Sequence, residues 1–136
     1  MGNNSLIFMN TTTASSVQAN GVIPLTNIAR RRGSAIQNGT NSVILNNAGY
    51  YKITATITFT APATGVVTLQ AQKNGTLIQG MQSSTTITTA TTEVRSLTIS
   101  GIVRVFCNEG IATITLVDTG VAINTSNVSL DIEYLG

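Results

Sequence analysis

Asn46-Asn47-Ala48-Gly49-Tyr50-Tyr51-Lys52-Ile53-Thr54-Ala55-Thr56-Ile57-Thr58-Phe59-Thr60 opens with a turn signal and then alternates without a fault. Tyr51, Ile53, Ala55, Ile57 and Phe59 fall on one side, and Lys52, Thr54, Thr56, Thr58 and Thr60 on the other. Successive side chains of a strand point to opposite faces, so the stretch is a long strand with one apolar face. Thr, Ile, Phe and Tyr all suit a pleated surface. The stretch is expected to be a central core strand, and the rest of the chain the material that covers it.

The same alternation recurs on both sides of it. Downstream, Val67, Leu69 and Ala71 point inward within Val66 to Lys73, and Asn74-Gly75 closes a tight hairpin to a strand from Thr76 to Met81. Gln82 to Thr92 is almost all Ser and Thr and reads as a loop or a solvated strand. In Glu93 to Phe106, Leu97, Ile99, Gly101, Val103 and Val105 share a face, with Gly101 marking a bulge or a close backbone approach. Asn108-Glu109-Gly110 turns the chain, and Ile111 to Val117 and Asn127 to Leu135 finish it. Upstream, Leu6 to Thr13 is a first strand, Asn20-Gly21 and Asn38-Gly39 are turns, and Pro24 restricts Val22 to Leu25 to an edge or a strand start. Ser42 to Leu45 is a short strand. Roughly eight to ten strands at short spacing, with no helix needed, predict an all-β antiparallel sandwich or jelly roll. One domain is expected, with 1–13 as an N-terminal arm and first strand available for attachment, and 14–136 as the remainder.

Composition narrows the function. At 136 residues the chain buries a core without staples, and its lone cysteine, Cys107, has no intrachain disulfide partner. Cys107 reads as a small buried residue at a strand end. The absence of histidine excludes His-based metal sites and triads. Seven Lys and Arg against five Asp and Glu are too few for a nucleic-acid-binding field. No apolar run approaches the roughly 20 residues of a membrane span, and the N-terminus lacks the pattern of a secretion signal. Outward-facing positions carry Thr, Ser, Gln and Asn with few charges, which suits a surface partly covered by copies of the same chain.

Three segments together resemble the C1q/TNF-like jelly roll. Ala48-Gly49-Tyr50-Tyr51-Lys52-Ile53 is similar to the family's Pro-Gly-x-Tyr-x-Phe entry to its central strand, with Ala48 in place of the proline. Leu69 to Ile78, with Lys73-Asn74-Gly75 inside it, is similar to the family's Leu-x-x-x-Lys-Asn-Gly hairpin. Asn108-Glu109-Gly110 precedes an alternating strand, and a last strand, Ser129 to Gly136, ends the chain. The resemblance runs from about Ser42 to Gly136, and the first 40 residues fit the outer strands only loosely. It implies a compact homotrimer around a threefold axis with the termini at one end. It implies no single function, since the family includes signalling ligands, complement heads, spore-surface proteins and bacteriophage virion proteins. The Thr/Asn/Gly richness and the low aromatic content are similar to small phage head-fibre, decoration and tail-tip proteins.

The expected function is therefore that of a non-enzymatic phage virion protein, assembled in the bacterial host cytoplasm. Such a protein would dock on the capsid or another virion component, or, alternatively, recognise a host surface glycan as an adhesive tip. Arg30, Arg31 and Arg32 form the one charge run and suit an acidic capsid surface or an anionic glycan; otherwise they sit in a solvated loop or pair with acids at a subunit boundary. With Leu6 and Phe8 they are the attachment candidates. Tyr50, Thr54, Thr56 and Tyr134 are the trimer-interface candidates. Asp131 and Glu133 lie two apart on one strand, share a face, and face solvent, pair with arginines, or hold a cation on the axis. Lys52, Lys73 and Arg95 have no carboxylate at an informative spacing. No catalytic, cofactor-binding or metal-binding set is expected, nor a nucleic-acid or membrane partner.

Overall fold

The computed structural model describes residues 5–136, and the first four residues of the expected arm 1–13 lie outside the described residues. Twelve strands follow one another: β1 Leu6–Thr11, β2 Ser15–Val17, β3 Gly21–Val22, β4 Asn27–Arg32, β5 Ile36–Gly39, β6 Ser42–Leu45, β7 Gly49–Thr60, β8 Gly65–Lys73, β9 Thr76–Ile87, β10 Arg95–Val105, β11 Ala112–Asp118 and β12 Ile123–Tyr134. They form two antiparallel sheets. One has the order β10-β7-β12-β1-β4, with β2 also on β12; the other has the order β5-β6-β11-β8-β9, with β3 on β11. Apart from the β5-β6 and β8-β9 hairpins, neighbours in each sheet are far apart in sequence, so the sandwich is a jelly roll rather than a run of hairpins.

β7 is central, as its alternation predicts. It pairs with β10 along one side and β12 along the other. Tyr51, Ile53, Ala55, Ile57 and Phe59 are all buried, against Leu97, Ile99, Val103 and Val105 of β10 and Val128, Leu130 and Ile132 of β12. β8 and β11 close the core from the opposite sheet through Val67, Leu69, Ala71, Ile114 and Leu116. At about 25 cal/mol per Å² of apolar area, this contiguous interior is the main favourable term in folding.

Several expectations are corrected. The arginine run is not a loop: Arg30, Arg31 and Arg32 belong to β4 and pair with Phe8, Ile7 and Leu6 of β1. Backbone pairing to β1 holds the run extended, a long-range effect that a short charged stretch does not announce. Of the two readings of Gln82 to Thr92, the solvated strand holds for Gln82 to Ile87, the second half of β9, paired with β8 from Gly65 to Gln70. Its alternation is hidden because both faces are polar, and Met81 and Ile87 anchor it in the core. The first hairpin turns at Thr40-Asn41 rather than at Asn38-Gly39. Asn41 takes the left-handed conformation (φ 51°), Gly39 pairs with Ser42, and Asn41 Oδ1 accepts Leu25 N–H at 3.2 Å. Cys107 is exposed, because it lies in the turn beyond Val105, the last inward residue of β10.

Gly101 marks a close approach and not a bulge. Its pairing with Ile53 is in register, and a Cβ there would stand 2.8 Å from Met81 Cγ. β9 does bulge where its register against β8 shifts between Gln70 and Gln72, with Gly80 at φ 85° on the other strand. Asn74 (φ 52°) and Gly75 (φ 83°) form the expected two-residue turn.

Candidate interaction surface

The ladder registers place the outward side chains of the β7 sheet in rows. One row reads Arg32, Leu6, Glu133, Lys52, Ile102, and the next Arg30, Phe8, Asp131, Thr54, Ser100. The third reads Asn27, Asn10, Ser129, Thr56, Thr98. Thus Leu6, Phe8, Arg30, Arg32, Thr54 and Thr56, widely separated in sequence, share one sheet face, with Tyr50 on the same face of β7. Arg31 lies at the parity of the buried Ile7, and its Nε donates to Ile36 O at 3.3 Å, tying β4 to β5 across the open side of the sandwich. Tyr134 does not join the outward group. It pairs with the buried Tyr51 (ring centroids 4.9 Å apart), and its hydroxyl donates to Ala48 O at 2.8 Å.

The face changes character along the strands. Near the Tyr50 end it carries apolar and charged groups. Farther along it carries hydroxyls and amides that bond one another, with Thr56 and Thr98 Oγ1 3.3 Å apart, Thr58 and Ser96 2.8 Å apart, and Asn27 Nδ2 donating to Asn10 Oδ1 at 2.9 Å. Asp131 has no hydrogen bond or ion pair among the described residues. Burial raises its carboxyl above the usual range, the neighbouring Glu133 raises it further, and Lys52 opposes both.

Where β9 and β10 meet, at the rim of the sandwich, a groove of about 570 Å³ is lined by Lys73, Leu77, Ile102, Arg104 and Phe106 among others. The Arg104 guanidinium lies 4.5 Å from the Phe106 ring centroid and 5.3 Å from that of Tyr50, within cation–π range. Lys73 Nζ meets Glu109 Oε2 at 2.8 Å and Oε1 at 3.0 Å, a carboxylate 36 residues away and at no spacing that marks a pair. Ile102 is 61 % exposed and Phe106 48 %, large for apolar side chains. Neither Ile102 nor Phe106 was among the expected interface residues. Their signal was present, since both sit at outward parity beside the inward Val103 and Val105. A second hollow, of about 350 Å³, is lined by Leu6, Arg30, Arg31 and Arg32.

At the opposite end of the sandwich, Glu93 Oε1 accepts the N–H groups of Thr88 (3.0 Å) and Thr89 (2.9 Å), and Oε2 accepts Arg95 Nε at 2.6 Å. Arg95, then the Thr89 amide, hold the Glu93 carboxyl down to about 2. Asp118 closes β11 there. It is fully buried; Oδ1 accepts Gly120 N–H at 2.9 Å and Oδ2 has no partner. Burial pushes its carboxyl up to about 6, the Gly120 amide working in the other direction.

These groups do not converge on a reaction centre. Asp131 and Glu133 lie on an open sheet face and line neither hollow. Among the described residues no group of three or more Cys, Asp or Glu is placed to hold a metal ion, and no helix is long and apolar enough to cross a membrane.

No protein-family model matches the sequence and no curated protein is similar to it. Solved structures do match in fold. The Eiger TNF from S. frugiperda superposes with a TM-score of 0.76 at 11 % identity, over 98 % of this chain and 92 % of that one. The globular domain of zebrafish complement 1qA gives 0.69 at 7 % identity, over 97 % and 98 %. PRD1 vertex protein P5 gives 0.59 at 14 % identity, over the full length of both chains. The fold is the C1q/TNF-like jelly roll. The likeness includes the N-terminal strands that the sequence motifs left loosely placed.

Proposed function

We propose that the chain is a non-enzymatic structural protein of a bacteriophage particle, a homotrimer of capsid-decoration or head-fibre type located on the virion. The observation that carries this reading is the exposed apolar surface at the end where Ser5 and Gly136 lie. Tyr50, Ile102, Phe106, Ile111 and Leu135 are all exposed there, on a chain with few charges to keep copies apart. A patch of this kind marks an interface. The groove between β9 and β10 and the outward face of the β7 sheet are different surfaces, so copies joined groove to face associate head to tail, and a threefold rotation closes the ring. The full-length likeness to a vertex protein supports a place on the particle surface.

Light scattering with dilution tests the assembly. The expected mass is three times that of the chain, and Phe106→Glu is expected to lower it towards the monomer without unfolding the chain. A monomer that persists at high concentration overturns the trimer. Co-sedimentation with purified capsids then tests docking.

The alternative is an adhesive tip that recognises host glycan. It is supported by the hydroxyl-rich loop from Thr88 to Thr92, held in shape by Glu93. Polysaccharide binding that disappears when this loop is replaced, with assembly intact, would favour it. Asp131→Asn and Glu133→Gln are expected to change nothing in any glycan-hydrolysis assay.

A further inference from the structure

The groove between β9 and β10 and the outward face of the β7 sheet carry opposite charge. On that face, Asp131 and Glu133 of β12 point the same way, with Thr54 and Lys52 of β7 on one side and Phe8 and Leu6 of β1 on the other. Two carboxylates beside one ammonium leave a negative charge in the middle of the sheet. Neither carboxylate has an ion pair among the described residues, and burial already disfavours the charged form of Asp131. The arginines of β4 lie farther out, beyond Phe8 and Leu6.

Arg104 stands at the opposite edge of the sheet, on β10. Its guanidinium lies 4.5 Å from the Phe106 ring centroid and 5.3 Å from that of Tyr50, and it has no carboxylate partner among the described residues. Stacking holds the guanidinium by its flat side and leaves N–H groups at its rim, where a carboxylate is taken as a fork. Lys73, the other cation of the groove, is committed to Glu109 and to Arg104 O at 3.1 Å. No acid of the same copy is at hand. Glu93 and Glu109 are held by Arg95 and Lys73, Asp118 is buried, and β7 separates β12 from β10.

Charge also discriminates between ways of joining two copies. A twofold contact of groove with groove sets Arg104 against Arg104, and one of face with face sets carboxylate against carboxylate; like charges in contact are unfavourable. Groove on face sets Arg104 on Asp131 and Glu133, while the β4 arginines repel it from the far side of the sheet. The apolar groups match as well, with Ile102 and Phe106 beside Arg104 and Leu6 and Phe8 beside the carboxylates. In a ring whose axis runs with the strands each row keeps its level, and the row of Arg104 and Tyr50 is next to the row of Lys52 and Glu133.

We propose that Arg104 of one copy binds the Asp131 and Glu133 carboxylates of the next, and that this contact selects the head-to-tail ring over a twofold dimer. This rests on the reading of the chain as a homotrimer. Light scattering on a dilution series of the full chain compares the parent, Arg104→Gln, Asp131→Asn/Glu133→Gln and a variant with all three changes. Arg104→Gln and the carboxylate variant are each expected to raise the concentration at which the trimer dissociates at least tenfold. The combined variant is expected to do no worse than the weaker of the two, since both remove the same contact. Added salt is expected to weaken the parent trimer and to leave the combined variant nearly unchanged. Thermal unfolding checks that every variant is folded.

A trimeric parent that either variant leaves unchanged, or losses that multiply in the combined variant, overturns the Arg104 contact and leaves the trimer reading standing. A dimeric parent overturns the selection of the ring. A parent that stays monomeric overturns the trimer and the contact together.

Discussion

At the end of the sandwich that holds the termini, Glu109 accepts Phe106 N–H at 2.7 Å and pairs with Lys73; at the other end, Glu93 accepts the Thr88 and Thr89 N–H groups and pairs with Arg95. The device is the same: one carboxylate closes a turn and one cation neutralises it. The surroundings differ. The first turn stands among the aromatic rings of Tyr50 and Phe106 with Ile102 and Arg104; the second stands among threonines, with Val94 the exposed apolar side chain beside Glu93. Turn closure therefore does not explain the aromatic and apolar groups of the terminal end. They do little for the isolated fold, and their exposure is the observation behind the interface proposed at that end.

The largest expected effects lie beneath the two ends, on the central strand β7, which runs from one to the other. Phe59→Ala and Tyr51→Ala should each cost about 3–5 kcal/mol in urea unfolding, since both side chains are fully buried. Tyr51→Phe should cost about 1 kcal/mol, because Asn47 O loses the hydroxyl donor at 2.7 Å. A Phe variant as stable as the parent would show that the terminal end is held by packing alone.

The second contrast is in pH. Asp118 has its carboxyl raised from 3.8 to about 6 in the folded chain, so the folded state holds this proton more tightly than the unfolded state. Its contribution to stability is present below about pH 4 and is lost as pH rises through about 6, a difference of at most about 3 kcal/mol. Asp118→Asn should remove that part of the pH dependence, read from unfolding midpoints across pH 4 to 7. An unchanged profile would mean that Oδ2 is solvated after all.

The two ends also depend on glycines in different ways. A Cβ at Gly120 would stand 2.3 Å from Val66 O and 2.7 Å from Thr68 N, whereas at Gly49 it would meet the Tyr134 ring at 2.7 Å. Backbone cannot give way as a side chain does, so Gly120→Ala should destabilise by about 1–3 kcal/mol. Gly49→Ala adds strain at φ 139° and should disturb the Tyr134 ring, seen in its near-ultraviolet signal.

The smallest effect is that of the two staples. Their carboxyls are lowered on folding, so each contributes stability above about pH 4.5 that is lost as pH falls, for Glu93 through about 2. Glu93→Gln should flatten the acid limb and loosen the Thr88 to Thr92 amides in hydrogen exchange without changing assembly. Glu109→Gln should loosen the turn beside the groove. A loss of assembly with Glu93→Gln would transfer the interface to the wrong end.

Legibility in the sequence followed the apolar period. β7, β8, β10 and β12 were readable because each alternates Ile, Val, Leu or Phe with polar residues, and a buried face enforces that pattern. The arginine strand was not, because only long-range pairing with β1 makes it a strand, and the second half of β9 was readable only as a loop or a solvated strand, because its outward positions carry no apolar period. Among the candidate residues, the outward positions of Tyr50, Thr54 and Thr56 followed from parity alone. Ile102 and Phe106 obey the same rule, and only their outward parity beside Val103 and Val105 separates them in sequence from core residues.

The sequence by itself determined the all-β class, the central strand, the Asn74-Gly75 turn and the inward set of side chains, since period and turn chemistry are local properties of the chain. Only the tertiary structure decided which strands are neighbours. That pairing order carried Leu6, Phe8, Arg30, Asp131 and Thr54 onto one face, left β4 at an open edge, buried Asp118 with an unpartnered oxygen, and brought Lys73 to Glu109. Register and pairing are set by the global fit of two apolar sheet faces, a free-energy minimum that no single segment encodes.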